Sequence, residues 1–382
     1  MTSPTQGPSR PAPRWVRLVR GLLLAAALLG AVEGGLRLFG FRFEPPTIPI
    51  VLYTPQMDAL MADSVGMFGP SASLLWENNP GASDIYDPAG RHINDQGFRG
   101  EPLPPPRAPG HLRIACVGDS STFGAHVAPE DTFSSRLEEL LRAGGLEADV
   151  LNAGVVGYSS LQCRRLLETR ILPLDPDVVV LYLGAINDGA PRPMKNPLSD
   201  REKLDHIAAG GSWRSRVFRA TQSLRLGQLA RRVVLGRPDW TGYARGLEQL
   251  HLTPEKAASG DYKKRVPLEE FRANVESCVR QVRDAGAVPV LVAPSRREIL
   301  EEEIPYQRRY TETLLEVARE LEVPCADVYT WVRSSPGGTD EHHVEGSRIH
   351  PSPSGHRVIA EQLGELILAE LGSRSAANPP IR

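Results

Sequence analysis

Only four cysteines occur in this 382-residue chain, Cys116, Cys163, Cys278 and Cys325. They stand far apart and form no C-x-x-C pair, so the common zinc and dithiol redox motifs are unsupported. Cys116 and Cys325 fall in apolar runs and read as small buried hydrophobes. An excess of one charge is also lacking, with 44 Lys and Arg against 46 Asp and Glu. No global field marks a partner for nucleic acid or another polyanion. Internal repeats and long low-complexity segments are missing, which excludes a repeat array. A G-x-S-x-G nucleophile elbow is missing too, which argues against the α/β-hydrolase fold.

Long apolar runs are scarce, and the conspicuous one is N-terminal. Arg10, Arg14, Arg17 and Arg20 lead into an apolar stretch from Gly21 to Val32 that stops at Glu33. This is a basic region followed by a hydrophobic one, the pattern of an export signal. The stretch is short for a span of roughly twenty residues, and residues 34–40 extend it if Glu33 and Arg37 lie at the outer interface. No cysteine follows that would carry a lipid. Residues 1–44 are therefore expected to be a cytoplasmic basic segment and signal anchor or signal peptide, with the arginines inside. The rest is expected to be extracytoplasmic, periplasmic or at the cell surface, or secreted if the segment is cleaved.

Residues 45–110 are rich in Pro, Gly and Asp with little periodicity, and read as an irregular lead-in that packs on the domain, notably through 92–100. From residue 112 apolar runs at 112–117, 148–152, 178–183, 287–292 and 323–328 alternate with helix-like segments. Runs such as 178–183 are apolar throughout, as strands buried on both faces must be. The alternation predicts a flavodoxin-like α/β architecture of three layers, α/β/α, around a central parallel sheet of about five strands. The domain is expected over 111–372, with a helical insertion at about 189–266 and a disordered tail at 373–382. Within the insertion, 213–234 spaces apolar residues on one helical face, which reads as a surface helix packed on the domain.

Polar clusters fall at the strand ends. Gly118-Asp119-Ser120 follows the first strand, Asn152 to Ser159 the second, and Gly184 to Asp188 the third, while Ser347 to His356 precedes the last helix. Each residue has a plainer use: Ser120 as a helix cap, His350 as a loop histidine, Asn187 and Gly157 as turn residues. Their conjunction at the carboxyl ends of parallel strands, where ligands bind in such sheets, favours chemistry.

Together the four clusters resemble the four sequence blocks of the SGNH/GDSL hydrolase family of serine esterases, and residues 117–133 with the GFRG segment resemble its bacterial membrane-anchored branch. The resemblance covers roughly 92–371 outside the insertion. It implies Ser120 as nucleophile, His350 as general base, and an oxyanion hole made by the backbone N–H groups of Ser120 and Gly157 and the Asn187 side chain, with Asp119 supporting. No cofactor is called for. Two departures stand out. The acid that orients the histidine belongs three residues before it, where this chain has Ser347, whose hydroxyl could orient the ring but not neutralise it. Glu345 is taken as the acid, with Asp340, Glu341 or a Ser–His dyad as the other arrangements. The GAIND segment is also one residue longer than the family spacing, which loosens the assignment of Asn187.

The expected function is an exported serine esterase that hydrolyses carboxylic esters through an acyl-enzyme, directed at O-acyl groups on carbohydrate, lipid or envelope material. The alternatives are O-acyl transfer to polysaccharide hydroxyls at the same site, and a non-catalytic glycan-binding module with a decayed triad. Trp213, Trp240 and Tyr243 are candidates for a sugar platform. The adjacent His342 and His343 invite a metal reading, but neighbouring loop residues rarely aim at one centre, and no metal is expected.

Overall fold

The computed structural model describes residues 13–41, 67–87, 89–104, 110–191, 198–209, 224–235 and 253–377. They divide into two units, one from 1–45 and 210–238, the other from 46–209 and 239–382.

In the larger unit a short antiparallel hairpin, β1 (Phe68–Ser71) and β2 (Leu75–Asn78), precedes five parallel strands. These are β3 (Leu112–Gly118), β4 (Ala148–Gly154), β5 (Val178–Tyr182), β6 (Val288–Val292) and β7 (Cys325–Ala326). Their order in the sheet is β4-β3-β5-β6-β7. The chain steps from β3 outward to β4 and then crosses back to β5, so the order reverses between β3 and β5. That reversal opens a crevice beyond the strand ends.

The central strands β5 and β6 are apolar throughout because each face of the sheet has its own helical layer. Ile114, Cys116, Val178, Val180 and Val290 pack with Phe133 and Leu137 of helix Phe133–Ala143 and with Ile359 and Leu363 of helix Pro353–Ala377. The alternate residues Ala115, Val117, Val179, Leu181 and Leu291 pack with Leu161, Phe271, Val275 and Leu314 on the opposite face. This is the three-layer architecture expected from the alternating pattern.

The described part of the lead-in is more regular than its composition suggests. Besides the hairpin, it sends Arg99 into the domain, where the guanidinium pairs with Asp84 at 2.6 Å and donates to the carbonyls of Phe123, Gly124 and Val127. Both partners of that ion pair are 2% exposed. A buried charge needs such full pairing. At the other end, the last helix runs on to Ala377, so the first residues of the expected disordered tail continue it.

In the smaller unit, helix Arg14–Leu38 is 25 residues long with a mean hydropathy of 1.8 in its most apolar window and no buried residue. By length and composition it is suited to cross a membrane. The Glu33 carboxylate accepts the backbone N–H groups of Arg225 and Leu226 at 3.0 and 2.8 Å, capping helix Arg225–Leu235. Of the helix expected over 213–234 only this part is described. Trp213, Trp240 and Tyr243, and residues 378–382 of the tail, lie outside the described residues.

Candidate active site

The end of β3 explains its own composition. A Cβ on Gly118 would stand 2.1 Å from the Thr122 hydroxyl and 2.8 Å from the Tyr182 carbonyl, so no side chain fits there. Asp119 caps the short helical turn Ser120–Phe123, its Oδ1 accepting the N–H of Ser121 at 2.9 Å. Ser120 opens that turn, where the backbone N–H has no intrahelical partner.

His350 comes from the loop before the last long helix, 230 residues away in the chain, and its Nε2 lies 2.9 Å from Ser120 Oγ. On the other side of the ring, Ser347 Oγ is 2.9 Å from Nδ1 and also accepts the His350 backbone N–H at 3.1 Å. The consistent tautomer carries its proton on Nδ1 and leaves the Nε2 lone pair for the Ser120 hydroxyl. Withdrawal of the ring from water, reinforced by His126, His343 and His356, lowers its pKa to about 3. A ring so placed is a neutral proton acceptor over the whole physiological range.

Asn187 stands beyond β5. One N–H of its side-chain amide donates to Asp119 Oδ2 at 3.0 Å, which fixes the plane of the amide and leaves the second N–H for another acceptor. Burial raises the Asp119 pKa to about 6, against hydrogen bonds from Ser121 and Asn187 that lower it. Gly157 lies beyond β4 with φ +80°, in a turn closed by the Tyr158 N–H on the Val155 carbonyl at 3.2 Å. A positive φ at the third turn position defines a type II turn and favours glycine. Asp188, raised to about 7 by burial, accepts the N–H of Ser160 at 2.8 Å and ties this loop to the end of β5.

Glu345 is not brought to the histidine. The Ser347 N–H donates to the Val344 carbonyl at 3.0 Å and closes a turn whose tip is Glu345 and Gly346, the latter with φ +75°. The tip is exposed. Asp340 pairs with Arg297 at 2.8 Å and is 83% exposed, and Glu341 is exposed as well. Among the described residues no carboxylate hydrogen-bonds to the His350 ring, and the oxygen at Nδ1 is the hydroxyl of Ser347. His342 and His343 diverge: His342 Nδ1 meets Ser354 Oγ at 3.0 Å, while His343 meets Ser295 Oγ at 3.2 Å and the Thr339 carbonyl at 2.7 Å.

Sequence reasoning missed several contributors. His126 holds φ +73°, and its ring centroid is 5.1 Å from that of His350. Arg296, fully buried, donates to the Ala185 carbonyl at 2.8 Å and steadies the loop that carries Asn187. Arg265 and Trp76 reach the Gly157 turn. An isolated arginine in a polar segment reads as a surface charge, and nothing local marks it as buried.

The arrangement sets the Ser120 hydroxyl against a neutral imidazole, with the Asn187 amide tied to the residue before that serine, a pairing that acyl transfer through a serine can use. Residues 116–358 match the model of the GDSL-like lipase/acylhydrolase family. No curated protein matches the chain. Among solved structures the chain is similar to a lipase/acylhydrolase from Enterococcus faecalis, at 20% identity and a TM-score of 0.42, covering 69% of this chain and 96% of that one. It is also similar to an acetylxylan esterase from Geobacillus stearothermophilus, at 16% identity and a TM-score of 0.40, covering 67% of this chain and 94% of that one. Because the family match takes in more than half of its residues, the chain belongs to the GDSL-like lipase/acylhydrolase family and is a serine ester hydrolase.

Proposed function

We propose that Ser120 and His350 carry ester hydrolysis through an acyl-enzyme, with Ser347 in the position of the usual acid. Ser120 Oγ attacks the ester carbonyl carbon while His350 Nε2 takes its proton. Charge develops on the former carbonyl oxygen, which the N–H groups of Ser120, Gly157 and Asn187 receive. Collapse expels the alcohol, protonated by His350. Water then attacks the acyl group, His350 again taking the proton, and the free acid leaves with Ser120 restored. Ser347 keeps the ring in the productive tautomer without supplying a countercharge. The observation that carries this reading is the continuous Ser120–His350–Ser347 contact, 2.9 Å on each side of the ring.

The substrate class we propose is O-acyl groups on carbohydrate of the cell envelope or its surroundings, met by an exported domain held at the membrane. The apolar helix Arg14–Leu38 supports that location. Intact-mass analysis with a serine-reactive phosphonate tests the nucleophile: wild type is expected to gain one adduct and Ser120→Ala none. Absence of the adduct in folded wild type would refute the assignment. Release of free acetate from acetylated polysaccharide tests the substrate. Transfer of the acyl group to a glycan hydroxyl in excess of free acid would replace hydrolysis by transfer.

A further inference from the structure

A turn of the kind that carries Gly157 has a close relative. Types I and II differ chiefly by a half-rotation of the central peptide unit, here the one joining Val156 to Gly157. In a trans peptide the C=O and N–H point in opposite directions. A flip would therefore reverse the Gly157 N–H and put the Val156 carbonyl oxygen in its place. Glycine gives little resistance of its own to such a change.

Two side chains from distant segments hold this turn. Trp76, at the lead-in hairpin, donates its Nε1–H to the Val156 carbonyl at 3.0 Å, so it grips the very peptide unit that owns the Gly157 N–H. Arg265, at the end of the insertion, donates to the Gly157 carbonyl at 2.9 Å and grips the next unit. Both side chains are buried, with Trp76 3% exposed and the Arg265 side chain 1%. Arg265 is itself held by Asp200 at 2.7 Å and Gln162 at 3.0 Å, and its guanidinium lies 5.7 Å from the Trp76 ring. Asp200 also accepts the Ser159 hydroxyl at 2.9 Å. The root of the insertion and the lead-in thus close on one turn from two sides.

We propose that Trp76 and Arg265 are positioning residues that lock the Val155–Tyr158 turn in the state that aims the Gly157 N–H at the oxyanion. The proposal rests on the acyl-enzyme reading above and adds to it two residues that touch neither substrate nor reacting atoms. A purely structural role would lower stability and leave turnover per folded site intact. A positioning role lowers kcat while KM for a small ester stays the same, because the oxyanion bond forms in the transition state.

The test compares Trp76→Phe, Arg265→Lys and Arg265→Met with Arg113→Met. Arg113 is another buried arginine, bonded to the carbonyls of Leu174 and Pro104. Sites are counted by phosphonate titration and turnover is measured on p-nitrophenyl acetate. Loss of one oxyanion donor costs about a hundredfold or more, so a partly flipped turn is expected to lower kcat about tenfold. Trp76→Phe and Arg265→Met should show this with KM within about twofold, Arg265→Lys less. Arg113→Met should lower the melting temperature alone. Hydrogen exchange in the 155–160 segment should rise in Trp76→Phe and Arg265→Met. Unchanged kcat per site in both, or unchanged exchange, overturns the proposal. Failure of wild type to label or turn over would instead overturn the acyl-enzyme reading, and the exchange comparison would still decide whether the turn is held.

Discussion

Replacing Ser347 with aspartate puts a carboxylate where the structure has a hydroxyl 2.9 Å from His350 Nδ1. The His350 backbone N–H already donates to the same oxygen at 3.1 Å, so the new group would find two donors in place. A hydroxyl orients the ring but adds no charge. A carboxylate about 4 Å from the imidazolium would contribute about 4 kcal/mol at an effective dielectric of about 20, or about three pKa units. The ring would then rise from about 3 toward its ordinary value. Activity requires the neutral ring, so the acid limb of the pH–rate profile moves upward with it, from below about pH 4 to about pH 6. On the plateau, part of the gain appears in the transition state, where His350 becomes cationic, and Ser347→Asp should turn over roughly tenfold faster. Ser347→Ala loses only the acceptor and should fall by up to about tenfold. The assay is kcat/KM on p-nitrophenyl acetate from pH 4 to 9, normalised to titrated sites. Profiles of both variants superimposed on wild type would refute the argument. A loss in Glu345→Gln as large as that in Ser347→Ala would put the carboxylate of the loop tip on the ring.

Other outcomes follow from the same geometry. Asn187→Ala should lower kcat about a hundredfold with little change in KM, as loss of an oxyanion donor does; an unchanged kcat would remove Asn187 from the site. Gly154→Ala brings a Cβ within 2.1 Å of the Phe123 backbone nitrogen, so thermal unfolding should occur well below the wild-type midpoint. For acid stability, His350 and His356 titrate at about 3 in the folded chain, below their unfolded value, so acid destabilises through them below about pH 6.5. Asp119 and Asp188 titrate at about 6 and 7, above their unfolded value, so acid stabilises through them down to about pH 4. The two pairs oppose each other between about pH 4 and 6, while His126 and His343, also held below their unfolded value by burial, add to the loss, and below about pH 4 Asp87, held at about 2 by Arg91, joins the histidines. Urea midpoints should therefore decline gently from about pH 6.5 and fall more steeply below about pH 4; a slope as steep between pH 4 and 6 as below pH 4 would refute the opposing carboxylates.

Much of the architecture was legible because its causes are local. Runs such as 178–183 are apolar on both faces, which announces a strand between two layers, and the observed β5 spans Val178–Tyr182. Helix Leu268–Asp284 supplies one of the helix-like segments expected between the apolar runs. The lead-in was less readable, because a two-stranded hairpin with Leu75 at φ 68° carries little periodic signal.

By itself the sequence determined the alternation of strands and helices, and with it the placing of Ser120, Gly157 and Asn187 beyond strand ends and His350 before the last helix. Periodicity and turn chemistry act over a few residues and can be read from them. Tertiary structure alone decided that Ser347 and not Glu345 meets His350, because the turn at 344–347 throws Glu345 to its tip. It alone decided that Arg265 and Trp76, 189 residues apart by their numbers, converge on one turn. Buried polar groups must find partners wherever the fold brings them, and that matching leaves no local trace in the chain.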